Sequence, residues 1–121
     1  MKYGRKITGG KYHKQSKKKK YALRGLENKV KLRETRKKIV RLTGGRERSV
    51  ILSTNIASVN DVKTKKTKNV KIKNVVQTPS DHFLARQNIL VKSAIIDTDL
   101  GKARITNRPS RDGNVQAVLI E

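Results

Sequence analysis

Between Ile7 and Ala22 the chain carries no aliphatic side chain, and Lys17 to Lys20 are four consecutive lysines. Such a stretch has nothing to bury and much to keep solvated, so it cannot join a packed core. Any core must come from the residues C-terminal to it. The charge divides the chain in the same way. Residues 1–48 hold 19 Lys and Arg against 3 acids, a net of +16, while residues 49–121 hold 12 against 6, a net of +6.

A formal charge of +22 on 121 residues repels itself in any compact state and points to a polyanionic partner. The two polyanions to weigh are nucleic acid and an anionic membrane surface. A membrane-surface helix needs a broad apolar face, and residues 11–20 offer only Tyr12 as an apolar body. No apolar run approaches the ~18 residues that would span a bilayer. The basic N-terminus is not followed by an apolar segment, so a secretory signal is not expected. The absence of cysteine excludes disulfides and thiolate zinc sites. Tyr3, Tyr12, Tyr21 and Phe83 are the only aromatics, too few for a stacking platform along a single strand.

The second part reads as β structure. SVILSTN (49–55), NVKIKNVVQ (69–77), ILVKSAIID (89–97), KARITN (102–107) and NVQAVLI (114–120) are short and rich in Val and Ile. KIVRL (38–42) reads as a first strand, with Gly44-Gly45 as the turn into the next. Val70 and Ile72 alternate with Lys71 and Lys73, and the alternation breaks at Asn74-Val75-Val76, where a bulge is expected. Asp112-Gly113 and Asp99-Leu100-Gly101 are turn signals between strands. Ser80 is placed to cap a short helix over 81–88. Five or six strands with one helix suggest a small antiparallel barrel or sandwich. Residues 1–20 are expected to lack structure when free, and residues 26–42 are compatible with helix or extended chain.

Catalytic readings fail on spacing. Gly4 to Lys11 resembles a phosphate loop, but Arg5 stands where its first Gly belongs and Tyr12 follows the Gly-Lys pair. Asp97-Thr98-Asp99-Leu100-Gly101 begins like a calcium loop, but its Gly comes one place early and Arg108 stands where the bidentate Glu belongs. A polar hairpin turn explains it better. His13 and His82 have no ligand-type neighbours at metal spacing. No enzyme activity, cofactor, metal or small-molecule substrate is expected.

Three basic segments remain: the arm up to Arg48, the cluster Lys63 to Lys68, and Arg104 to Arg111 flanking Pro109. A lone lysine run is often only a solvated face or a nuclear address. Three basic segments on one small domain point to nucleic acid. There is no recognition helix, zinc finger or basic zipper, and no aromatic strand pattern of the RNA-recognition type. Phosphate neutralisation and shape recognition are therefore expected rather than base readout.

Several segments resemble one family. Thr8-Gly9-Gly10 with the lysine run and Tyr21-x-Leu23, then Arg36-Lys37-Lys38-Ile39 before Gly44-Gly45, carry the N-terminal half of the likeness. Phe83-Leu84-Ala85-Arg86-Gln87-Asn88-Ile89, Lys92-Ser93-Ala94-Ile95-Ile96, Leu100-Gly101-Lys102-Ala103, Thr106-Asn107-Arg108-Pro109, Asp112-Gly113 and Ala117 to Glu121 carry the C-terminal half. Together they resemble the archaeal and eukaryotic small-subunit ribosomal protein eight of the series absent from bacteria, in its archaeal form without the eukaryotic insertion. Ala22-Leu23-Arg24-Gly25 departs from the family's usual Glu-Leu-Gly-Arg order.

The resemblance implies a mainly β fold: a small antiparallel β-barrel of about six short strands with one short helix, plus an extended basic N-terminal arm. It implies a structural, cytoplasmic role in the small ribosomal subunit, with small-subunit ribosomal RNA and neighbouring ribosomal proteins as partners and no membrane. The arm is drawn at residues 1–37 and the barrel domain at 38–121. Expected rRNA-binding residues are Arg5, Lys6, Lys11, His13, Lys14, Lys17, Lys18, Lys19, Lys20 and Arg24 in the arm. Arg36, Lys37, Lys38, Arg46, Arg48, Lys65, Lys66, Arg108 and Arg111 complete the set. A DNA-compacting, chromatin-like protein is the alternative from the same charge logic.

Overall fold

The computed structural model describes residues 4–12, 17–23 and 28–120. In chain order the elements are β1 (Val30–Leu32), β2 (Arg36–Arg41), β3 (Glu47–Thr54), β4 (Ile56–Asp61), β5 (Lys66–Gln77), α1 (His82–Arg86), β6 (Ile89–Leu90), β7 (Ile95–Thr98), β8 (Gly101–Ile105) and β9 (Gln116–Leu119). The protein is mainly β with one short helix, as the sequence predicts. Strands β4, β5, β7, β8 and β9 close into a barrel, and the other four form a second sheet in the order β2-β3-β1-β6.

Four of the five barrel pairings are antiparallel; the closing pair, β4 with β9, is parallel. That is a matter of parity. Five strands that alternate in direction around a ring must leave one pair pointing the same way. Among the described residues nine strands form, because two segments were not legible as strands and one predicted strand is two. β1 and β4 are the additions. ILVKSAIID divides into β6 and β7 at a corner where Ser93 takes φ +67, a backbone state that strands do not use.

The inward side chains are small or β-branched. Ala57 and Val59 of β4 face Val70 and Ile72 of β5, with Ile96, Ala103, Ile105 and Ala117 completing the barrel interior. A ring this narrow has room for side chains and nothing else. Val30, Ile51 and Leu90 of the second sheet belong to the same buried cluster, so one core serves both sheets. Val30 is only 1% exposed. β1, which carries it, lies between β3 and β6.

Local chemistry explains the corners. The bulge in β5 falls where the alternation breaks: its register with β7 shifts between Ile72 and Asn74 and again between Val75 and Gln77. Gly44 and Gly45 stand at φ +79 and +73 in the β2–β3 turn, conformations that glycine adopts at no steric cost. The cap of α1 is Asp81 rather than Ser80. Its carboxylate accepts the Phe83 amide at 2.9 Å, and an ionised acceptor satisfies a free helix amide well. The helix ends at Arg86, short of the predicted residue 88. Asp112-Gly113 lies in a ten-residue connection between β8 and β9 rather than in a tight hairpin. The tight hairpin is Thr98–Gly101, closed by the Thr98 hydroxyl donating to the Gly101 carbonyl at 2.7 Å.

Residues 4–12, expected without structure, form a local hairpin turn. Arg5 bridges to Lys11, and the Lys6 amide donates to the Gly10 carbonyl at 2.8 Å. Lys20–Ala22 make one 3-10 turn. No helix of the described residues is long and apolar enough to cross a membrane.

Candidate nucleic-acid interface

Strand geometry decides which cations face solvent. In β5 the residues Val70 and Ile72 point inward, so Lys71 and Lys73 point out. In β8 the buried Ala103 and Ile105 leave Lys102 and Arg104 on the outer wall. The outer wall and the strand ends are consequently where charge accumulates, with the arm in addition.

The first group lies on the arm. Arg5, Lys6 and Lys11 sit on the 4–12 hairpin and Lys17, Lys18, Lys19 and Lys20 come after it, all exposed. The Lys6 ammonium lies 5.8 Å from the Tyr12 ring centroid, a weak cation–π contact at an exposed site. His13, Lys14 and Arg24 lie outside the described residues.

The second group is built by a hairpin. β2 is an edge strand, and Arg36, Lys37 and Lys38 are exposed along it. Arg46 ends the β2–β3 turn and Arg48 is the second residue of β3, and the Val40–Arg48 pairing brings Arg48 beside the end of β2. These five residues, distant by up to twelve positions, share one two-stranded ribbon. Charge on an edge strand also discourages pairing with another sheet, so part of this density has a protective use. Arg41 is drawn toward Glu47 at 3.9 Å, an exposed pair worth at most about 1 kcal/mol.

The third group surrounds the β4–β5 turn. Lys65 lies in the turn at φ +53, but Lys66 and Lys68 already belong to β5, so the expected loop 63–68 is shorter than predicted. Asp61 fixes this turn: its carboxylate accepts the Thr64 hydroxyl at 2.7 Å and the Lys63 amide at 2.9 Å. The Thr64 hydroxyl first, then the Lys63 amide, hold the Asp61 carboxyl below its ordinary range. The acid thus acts as a turn staple.

The fourth group is one that sequence order hides. Arg108 and Arg111 line a cleft together with Lys29 and Lys92. Lys29 and Lys92 were not among the predicted residues. Lys29 belongs to the arm and Lys92 to no basic segment, and only folding brings them beside the β8–β9 connection. Arg104, expected in that loop, belongs to β8 instead. Lys71, Lys73 and Lys102 were likewise not among the predicted residues, although their alternation with buried neighbours is a usable signal. Lys73 pairs with Asp99 at 3.3 Å.

Among the described residues no group of three His, Asp or Glu side chains is placed to hold a metal. The arrangement can neutralise and position phosphates over several surfaces.

Comparison with known proteins gives a consistent picture. The family described as ribosomal protein S8e matches residues 1–120. The chain is 41% identical to the small ribosomal subunit protein eS8 of Methanocorpusculum labreanum, over 97% of this chain and 94% of that one. It is 44% identical to the protein of the same name from Methanococcus aeolicus, over 96% and 91%. For that of Sulfurisphaera tokodaii the identity is 40%, over 97% and 92%.

Proposed function

This chain belongs to the ribosomal protein S8e family, and from that membership we propose that it is a structural constituent of the small ribosomal subunit. It binds and stabilises folded ribosomal RNA there, beside neighbouring ribosomal proteins, in the cytoplasm. The relatives bear the names of ribosomal proteins and not of enzymes, and no catalytic step is assigned to this one. The observation that carries the reading is a match over residues 1–120 in a chain of net charge +22.

The mechanism rests on charge and shape. A folded RNA presents phosphates from several helices at close range, and a slender basic arm reaches between them. Residues 1–37 hold 15 Lys and Arg against 2 acids. Each phosphate they neutralise releases condensed counterions, which drives association. Ordering the arm costs entropy that those contacts offset. Arg5, Arg24, Arg36, Arg46 and Arg48 supply planar, bidentate contacts, and the lysines act as point charges. The packed scaffold sets where the arm leaves and where β2, the β4–β5 turn and the β8–β9 connection meet the RNA.

Competition between small-subunit ribosomal RNA and duplex DNA at moderate salt tests the reading. The RNA is expected to displace the DNA. Equal competition, or preference for DNA, would favour a DNA-compacting role.

A further inference from the structure

The cleft beside the root of the arm has two unlike surfaces. Its cations, Lys29, Lys92, Arg108 and Arg111, come from three separate segments, and among the described residues no acid lines it. Leu84 of α1 and Val91 after β6 form an apolar wall, and Asn28 and Ser110 also line the cleft. The cavity is about 300 Å³, at the lower end of the ~300–1,000 Å³ typical of small-molecule sites. That admits one mononucleotide and excludes a helix.

The backbone that carries two of the cations is held in a turn. The Arg111 and Asp112 amides both donate to the Arg108 carbonyl at 2.9 Å, and the Asp112 carboxylate accepts the Arg108 amide at 3.0 Å. This closed turn fixes the two arginines three positions apart. Pro109 between them is buried and anchors the turn in the scaffold. Lys92 projects from the corner made by the positive φ of Ser93. A site that only neutralised a passing phosphate would need neither an apolar wall nor a concave shape.

We propose that this cleft receives a single unstacked nucleotide of the bound RNA, its base against the Leu84 and Val91 wall and its phosphate among Lys29, Lys92, Arg108 and Arg111. Unpaired nucleotides in loops and bulges are the parts of RNA that proteins splay out and hold individually. The proposal rests on the RNA-binding reading above and adds one ligand subsite to it.

The test is a titration of the full-length isotope-labelled chain, followed by amide shifts, with uridine monophosphate, inorganic phosphate and hexa-aspartate in parallel. Uridine monophosphate is expected to shift the Leu84, Val91 and Ser110 amides to saturation and to bind about tenfold tighter than phosphate, from burial of the base face. The double variant Lys92→Ala/Arg111→Ala is expected to weaken it by about tenfold or more, the worth of a charge-assisted hydrogen bond. Lys29→Ala, on an independent segment, repeats the loss if the double variant unfolds. Equal binding of phosphate and nucleotide, tighter binding of hexa-aspartate at these amides, or no shift there would each overturn the proposal. Ribosomal RNA binding by the wild-type chain separates the two readings. RNA bound without nucleotide capture defeats the cleft alone, whereas RNA not bound at all defeats the proposed function.

Discussion

The Asn88 side-chain carbonyl accepts a hydrogen bond from the Val75 amide at 3.2 Å, across the point where β5 bulges against β7. Asn88 itself stands at φ +52, a left-handed state that asparagine tolerates better than most residues. One residue thus turns the corner between α1 and β6 and contributes an acceptor to the Val75 amide at the bulge.

Asn88→Ala removes the acceptor and places a less tolerant residue in the left-handed state. The same amide is also held by the Asn74 side chain at 2.8 Å, which moderates the loss. The expected cost is about 1 kcal/mol, with Asn88→Gly costing less because glycine accepts the backbone state. Urea unfolding midpoints of the three proteins measure this. A glycine variant weaker than the alanine one would show that the backbone state is not what Asn88 supplies.

Val30 of β1 is buried in the shared core. Val30→Ala is expected to lose about 2 kcal/mol through lost burial and a residual cavity, a large share of a small domain's stability. Deleting residues 1–25 leaves β1 intact and is expected to preserve the fold. Deleting residues 1–37 removes β1 from between β3 and β6 and is expected to unfold the chain. Circular dichroism melts of both truncations check this, and a stable 38–121 fragment would show that β1 is dispensable to the fold.

Asp61 gives a pH signature. Its carboxyl is held below its ordinary value of 3.8 by the Thr64 hydroxyl and the Lys63 amide. A group whose folded pKa is depressed contributes its stability above the unfolded pKa and loses it as pH falls through the folded pKa. The turn's contribution is therefore complete at neutral pH and disappears only below pH 3.8. Thr64→Ala is expected to move the Asp61 titration, followed by carboxyl carbon shifts, upward toward the ordinary value. An unchanged titration would mean that the hydroxyl is not the dominant cause.

Much of the fold was legible because its signals are local. Val70 and Ile72 alternating with lysines gave β5, the interruption at Asn74 gave the bulge, and Gly44-Gly45 gave its turn. β4 was not legible, because Asn55, Ser58 and Asn60 are turn-forming types that mask the inward pair Ala57 and Val59. β1 is three residues long and takes its partners from β3 and β6, so nothing within it announces a strand. The charged arm and the Arg36–Lys38 cluster were visible as runs. The cleft was not, since Lys29, Lys92 and the Arg108–Arg111 turn lie far apart in sequence and meet only through the tertiary fold.

Salt dependence reads out the phosphate contacts. If about ten phosphates are neutralised, the logarithm of the affinity for ribosomal RNA should fall against that of salt with a slope of roughly −7 to −9. Removing residues 1–25 is expected to flatten that slope by several units while the scaffold remains folded. A slope that the truncation leaves unchanged would assign the contacts to the scaffold and not to the arm.

Sedimentation of the endogenous protein tests the central claim most directly. In cell extracts resolved on gradients at high salt, the chain is expected to travel with the small ribosomal subunit. A predominantly soluble pool, or one that travels with DNA, would contradict it.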